Sequence, residues 1–244
     1  MLTIFAREKG IQKVVQKTKK NDFVYKFSTC CFIEYKFFLY PGKTWDKLRF
    51  AKINLYYPIQ SKSILKIIAI QYLRELILFQ RLGGIVEEQQ LLFDTFVYYV
   101  DKMIRYPEKS TLVILLKSLL HFLALFGFAP QLHYCNITYK CLRISNPYKF
   151  VKEPISLSAS MGGIVRRSYV KKSEVLANLT PVQLYILQKL VESFGDYLPN
   201  GFSPFYLSIE QILCKYIEYH FERKVMSSTT LNKFFFKFGY SENI

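Results

Sequence analysis

Six cations stand between Arg7 and Lys20: Arg7, Lys9, Lys13, Lys17, Lys19 and Lys20. They face one acid, Glu8. Two apolar, β-prone runs flank Arg7-Glu8-Lys9-Gly10, and Gly10 can supply the positive φ that a hairpin loop of this length commonly needs. A basic hairpin is a natural surface for polyphosphate. Lysine and arginine bind phosphate oxygens with little sequence preference, and the binding weakens as salt rises. Downstream, Phe23, Tyr25, Phe27, Tyr35, Phe37 and Tyr40 alternate with Lys26 and Lys36. Such interleaving suits single-stranded nucleic acid, whose bases stack on aromatic faces while cations follow the backbone. Any one of these aromatics reads as core; the segment as a whole reads as a nucleic-acid surface. A second basic cluster, Arg166, Arg167, Lys171 and Lys172, follows Gly162-Gly163.

Other reactive residues are sparse. Cys30, Cys31, Cys135, Cys141 and Cys214 form no disulfide framework in a chain of 244 residues, and a reducing compartment follows from that. Structural zinc wants four ligands in closely spaced pairs. Cys135 and Cys141 make one poorly spaced pair, with His133 nearby and no second pair. Gly162-Gly163 lacks the Gly-Lys-Ser/Thr of a phosphate-binding loop and reads as a turn into a short basic strand. His121, His133 and His220 stand alone, and no nucleophile motif occurs. No enzyme and no cofactor are expected.

The bulk composition agrees with an anionic partner. Lys+Arg number 34 against 18 Asp+Glu, a formal net charge of +16. Such an excess opposes compaction and makes sense beside nucleic acid or an acidic membrane surface. Part of it reflects a composition rich in Phe, Tyr, Ile and Lys, as AT-rich coding produces. Residues 1–50 carry 11 Lys+Arg and 4 Asp+Glu, so the excess is concentrated at the start. No secretory signal is expected there, since Glu8 and Lys9 fall before any long apolar run. Residues 111–129 are apolar enough to suggest a membrane span, but Lys117 and His121, four apart, share one helix face. A charge near the centre of a lone span costs roughly 2.5–3.5 kcal/mol, so a buried helix with one wet edge is the expectation.

The elements that must carry these groups fall into blocks. Residues 1 to about 58 read as short strands with tight turns, including a turn at Pro41-Gly42-Lys43. From Ser61 the period becomes helical, and the stretch from Ser63 to Phe79 is apolar nearly all round, as a central bundle helix should be. After Gly83-Gly84, Leu92, Phe96, Val100 and Met103 repeat at helical spacing. Ser110 is expected to cap the next helix, and Gly127 to close it. Residues 129–175 lose the period and read as an irregular insert. Thr180-Pro181 starts another helix, with Gly195 ending it. Ser208 and Gln211 form a capping-box pattern before the next, and a last short helix is expected over 230–237.

Several of these segments resemble, in order, the bacterial recombination mediator RecO. The N-terminal hairpin resembles that family's "LT-x-F-x-R-E-x-G" pattern. Leu119-Leu-His-Phe-Leu-Ala-Leu-Phe-Gly-Phe-Ala-Pro-Gln-Leu-His-Tyr-Cys135 is similar to its "LL-x-LLG-x-x-P-x-L-x-x-C" region. Gly162-Gly163-Ile-Val falls at its "GG" turn, and Ile217-Glu-Tyr-His-Phe-Glu-Arg-Lys-Val-Met-Ser-Ser228 resembles its final "L-x-x-H-L-x-x-R-x-x-K-S" helix. None is a catalytic signature; the specificity lies in the set. There are two departures. Family members usually begin with a further strand, so the barrel here lacks its first strand or the true start lies upstream. Where many members have four zinc-binding cysteines, this chain has Cys135, Thr138, Arg166 and Tyr169. No stoichiometric zinc is expected.

The resemblance implies an α+β chain: an OB-like β-barrel over 1–58 that binds nucleic acid, a helical domain beginning at 61–130, an insert with a degenerate zinc-site region over 131–175, and helices again over 176–244. It implies a non-catalytic DNA-repair role. Its partners would be single- and double-stranded DNA, single-stranded-DNA-binding protein, a RecR-like ring and, indirectly, a RecA-type recombinase. The expected setting is the bacterial cytoplasm or the plastid stroma, with no membrane. Arg7, Lys9, Lys13, Lys17, Lys19, Lys20, Lys26, Arg166 and Arg167 are the candidate nucleic-acid contacts. Arg74, Arg81, Lys117 and His121 are candidates for a partner groove. Two other classes share the charge: a basic scaffold or RNA-binding component of a ribonucleoprotein, and a peripheral membrane protein.

Overall fold

The computed structural model describes residues 2–7, 10–15, 37–40, 46–51, 63–79, 86–148, 153–192 and 203–238. The N-terminal hairpin is present: β1 (Leu2–Ala6) and β2 (Gly10–Val15) pair antiparallel, with Ala6 opposite Gly10 and Leu2 opposite Val14. Gly10 has φ +62° at the loop exit. β3 (Phe37–Tyr40) runs antiparallel to β4 (Asp46–Ala51), and β4 lies parallel to β2. The described strands form an open sheet of order β1-β2-β4-β3. They do not close into the expected barrel. A barrel needs every edge paired, and here β1 and β3 are outer strands.

Two helices follow. α1 (Ile64–Phe79) buries Leu65, Ile68, Ala69, Ile70, Tyr72, Leu73, Leu76 and Ile77, as its nearly all-apolar sequence requires. α2 (Val86–Arg105) is amphipathic, with Leu92, Phe96, Tyr99, Val100 and Met103 buried. Glu87 and Glu88 sit in its first turn and Lys102 and Arg105 in its last, which complements the helix dipole. Its last carbonyls meet the buried ammonium of Lys66, which donates to Tyr106 O at 2.6 Å and Ile104 O at 3.3 Å. The chain divides into two compact units, Met1–Glu108 and Lys109–Ile244. The first therefore combines the sheet with α1 and α2.

The second unit is built on α3 (Thr111–Leu125), α4 (Pro181–Glu192), α5 (Ser203–Phe221) and α6 (Met226–Phe238). α3 packs on α4 and α5, and α6 on α5. Lys117 and His121 lie toward its outer edge, as their spacing predicts, while Leu115, Leu116, Leu119 and Phe122 are fully buried. No helix among the described residues is long and apolar enough to cross a membrane. Gly127, φ +80°, closes α3. Its N–H bonds Ala124 O at 3.0 Å and that of Phe128 bonds Leu123 O at 2.7 Å, which satisfies two orphan carbonyls.

Two caps differ from expectation. Ser110 makes no side-chain cap, because it ends a short 3-10 turn, Glu108–Ser110, already in the αR region. Ser208 lies inside α5, where its hydroxyl donates to Phe205 O at 2.8 Å. The helix starts a turn and a half earlier, at Ser203-Pro204. Thr180 does cap α4, accepting from Gln183 N at 3.2 Å while Gln183 Oε1 accepts from Thr180 N at 2.9 Å. Gly195 lies outside the described residues. The insert read as irregular holds a small antiparallel sheet, order β6-β5-β7: β5 (Ile155–Ser158), β6 (Gly163–Arg166) and β7 (Ala177–Leu179). All four β5 residues are buried, so the strand shows no in-out alternation to read in sequence.

Candidate nucleic-acid interface

Arg7, at the hairpin tip, is gripped by α2. Its Nε and Nη2 donate to the two carboxylate oxygens of Asp94, each at 2.8 Å. The fork fixes direction as well as distance. The hydrogen bond from Arg7 holds the Asp94 carboxyl below its usual range, against a smaller desolvation effect. Phe5, two residues back, packs on Phe93 and Phe96, with ring centroids 5.3 and 6.0 Å apart. The hairpin is thus seated on α2 by two ring contacts and one ion pair. Arg7 is an anchor whose charge is balanced locally. The backbone of Lys13 pairs with Thr3 across the hairpin. Lys9, Lys17, Lys19, Lys20, Lys26 and Arg81 lie outside the described residues.

In the second unit two distant segments meet. Gln131 N donates to Gly162 O at 2.9 Å, and Ile164 N donates to Gln131 O at 2.8 Å. The stretch after α3 is thereby stitched to the turn before β6, so that the "P-x-L" and "GG" segments adjoin. Arg166, at the end of β6, pairs with Glu153 at 2.6 Å, and Arg167 donates to Val170 O at 2.8 Å. Both cations are partly engaged within the fold, whereas Lys171 and Lys172 are exposed.

Cys135, fully buried, lies between these segments. Burial pushes its thiol up, but the backbone N–H groups of Thr138, Ile137 and Arg166 help hold it down to about 7, while the buried Thr138 hydroxyl makes no hydrogen bond among the described residues. Three of the four positions that the resemblance marks as a zinc site, Cys135, Thr138 and Arg166, therefore converge here, through backbone donors and not ligands. One thiol, a hydroxyl and backbone amides do not fit zinc, which needs thiolate or imidazole in all four places of a structural site. Tyr169 is half exposed. Among the described residues no group of three or more His, Cys, Asp or Glu comes together that could hold a metal. Elemental analysis of protein purified without chelator is expected to find well under one zinc per chain. A full equivalent lost in Cys135→Ser would contradict this.

α4 fastens the loop that carries Cys135. The buried Gln188 amide donates to Leu132 O at 2.6 Å and Leu142 O at 3.1 Å, and its Oε1 accepts from Ile144 N at 2.9 Å. One turn on, Glu192 receives His133 at 3.0 Å, Arg143 at 2.9 Å and Lys189 at 3.0 Å. Neither residue is distinguishable in sequence from an ordinary helix-surface side chain. Gln188→Leu would leave three loop groups without partners, and each unmet buried group costs about 1–3 kcal/mol. Two of the three bonds are only part-buried, so the low end applies, and urea unfolding is expected to show a loss of about 3 kcal/mol. An unchanged midpoint would mean that the loop is held by other contacts.

His220, from the "L-x-x-H" segment, stacks on Phe128 at 4.7 Å between centroids and contacts Tyr216 and Tyr219. Phe126 and Phe221 extend the cluster. The Nε2 atom of His220 is buried with no hydrogen-bond partner, and burial lowers its pKa from 6.5. The unfolded chain therefore takes up this proton more readily than the folded one. Stability is full above pH 6.5 and falls as pH drops below it. His121 shifts the same way, through burial first and the Lys117 charge second. Thermal unfolding followed from pH 7.5 to 5 should show a falling midpoint. His220→Phe, which keeps the ring contact, should flatten that fall, and an identical profile in the variant would contradict the assignment.

Of the remaining candidates, Arg74 is exposed on α1 and bonds Gln71 at 3.2 Å. It belongs to the first unit, and Lys117 and His121 to the second.

The described residues thus bring together a hairpin seated on α2, an insert stitched to the segment after α3, and no group of three or more His, Cys, Asp or Glu that could hold a metal. The family model described as "Recombination protein O C terminal" matches residues 61–229. "DNA repair protein RecO" of Cyanothece sp. is 27% identical over 266 residues, covering 96% of this chain and 90% of its own. The protein of the same name from Acaryochloris marina is 30% identical over 68% of this chain and 55% of its own. A 24.3 kDa protein of the hemA-psbN intergenic region of Cyanophora paradoxa is 26% identical over 75% of this chain and 87% of its own. The chain belongs to the RecO family, and it is a DNA-repair and recombination protein without enzymatic activity.

Proposed function

We propose that this chain binds single- and double-stranded DNA, anneals complementary strands, and helps a RecA-type recombinase onto DNA coated by single-stranded-DNA-binding protein. The observation that carries the reading is the charge: an excess of sixteen cations, densest in the first fifty residues, in a member of a recombination family. Two polyanions approach one another only when their repulsion is screened, and a surface of lysines does that without base specificity. Lys9, Lys13, Lys17, Lys19, Lys20 and Lys26 are the proposed phosphate contacts, with Arg166 and Arg167 as a second cluster. The 1–58 segment is proposed as the OB-like DNA-binding domain. Lys117 and His121 on one helix, or alternatively Arg74 and Arg81, are the proposed cations for an acidic partner tail, and a RecR-like ring is the second proposed partner. The bacterial cytoplasm or plastid stroma is the proposed setting, in keeping with cyanobacterial relatives. The test is recombinase ATP hydrolysis on DNA already coated by single-stranded-DNA-binding protein. Adding this chain and the ring protein should shorten the lag. No change in lag at saturating protein would refute the mediator role.

A further inference from the structure

One face of α6 is wholly exposed. Met226, Thr229, Thr230, Lys233, Phe236 and Lys237 all point to solvent, while Leu231, Ser227, Ser228 and Phe234 face inward. Asn232 closes the inner side by accepting from Gln211 of α5 at 2.6 Å. Phe236 is 93% exposed, and α6 contains no acidic residue. Lys233 and Lys237 flank the ring at one turn and one residue, and the Lys237 ammonium also lies 5.7 Å from the Phe238 ring centroid. An exposed ring between cations, on a helix without carboxylates, is complementary to a ligand with a flat apolar face and a negative backbone.

We infer that this face of α6 is a contact for single-stranded DNA, with one unpaired base stacked on Phe236 and the adjoining phosphates on Lys233 and Lys237. The inference rests on the DNA-binding reading above and adds a site to it. A ring this exposed has no walls around it. A peptide side chain would need a pocket to be desolvated, whereas a base needs only one planar face. Self-association through the same strip would bring four lysines together with no acid from either helix to offset them. Duplex DNA keeps its bases stacked inside and offers the ring nothing, so the site discriminates strand state.

The test uses the full chain. Trp45 is the single tryptophan, so Trp45→Phe combined with Phe236→Trp places one indole on this face. The variant is titrated with oligo-dT while a labelled oligomer reports binding by anisotropy. Stacking should quench the indole in step with the anisotropy. Phe236→Ala alone, with Trp45 intact, should weaken oligo-dT binding about fivefold or more and leave duplex binding unchanged. Lys233→Gln with Lys237→Gln should make the salt slope shallower by about 1.4. Saturating anisotropy with unchanged emission and unchanged affinity in Phe236→Ala would overturn this site and leave DNA binding standing. No anisotropy change at all would overturn both. Quenching by an acidic peptide, or by raised protein concentration without DNA, in place of quenching by oligo-dT would also overturn it.

Discussion

Replacing Lys13, Lys17, Lys19 and Lys20 together with alanine is expected to remove most of the salt-sensitive affinity for single-stranded DNA. Four lost phosphate contacts make the slope of log affinity against log salt shallower by about 3. Between 50 and 200 mM salt, four such contacts account for a loss of roughly fiftyfold in the parent, and the variant should lack that loss. Arg7→Ala is the useful contrast. Arg7 is committed to Asp94, so its removal should unseat the hairpin from α2 and change the slope by less than one contact. Fluorescence anisotropy at four salt concentrations measures both. An unchanged slope in the fourfold variant would place the site elsewhere. Arg166, Arg167, Lys171 and Lys172 would then be the alternative, with the two lysines its exposed members.

Gly163→Ala is expected to cost about 2–3 kcal/mol, the scale of forcing an extra carbon into packed structure. A Cβ at this position would stand 2.8 Å from Gln131 N and closer still to Gln131 O. These are backbone atoms held by the two hydrogen bonds that stitch the strand to the segment after α3, and they cannot swing aside. Gly162→Ala is the control. It has φ +69° but no clash, the nearest atom being Asn136 Nδ2 at an ordinary contact distance of 3.7 Å. Its penalty is conformational only, about 1–2 kcal/mol. Adjacent glycines thus serve for different reasons, one for close approach and one for turn geometry. Urea denaturation should rank them with Gly163→Ala the more damaging. The reverse order would contradict the packing of Gln131 on β6.

How much of this was legible in the sequence varies with the kind of signal. Local punctuation read well: Gly10 in the hairpin, Gly127 after α3, Thr180-Pro181 before α4. Each depends on a backbone conformation that only a few residue types supply. Ser208 misled, because a Ser-x-x-Gln spacing also occurs inside a helix. Ser203-Pro204, the same signal as Thr180-Pro181, was there to be read. Of the small sheet, β6 is legible as the short basic strand after Gly162-Gly163, whereas β5 and β7 are three or four residues long and β5 is buried throughout, which leaves no period. The OB-like barrel is an expectation of the family resemblance, and the described strands by themselves form an open four-stranded sheet. Least legible were the convergences: Thr138 and Arg166 on Cys135, Gln188 and Glu192 on the loop, His220 on Phe128. These pair residues tens of positions apart, and neither composition nor spacing encodes such contacts. Only the family resemblance marked some of those positions in advance.

Strand annealing is the activity that screening of two polyanions by one basic surface would produce. Two complementary single strands, one carrying a fluorophore and the other a quencher, are mixed at nanomolar concentration with and without the intact chain at low salt. Annealing should be roughly tenfold or more faster with protein, lose that gain as salt rises, and be reduced in the Lys13, Lys17, Lys19 and Lys20 variant. An annealing rate unchanged at every protein concentration, from a chain shown to be folded, would contradict it.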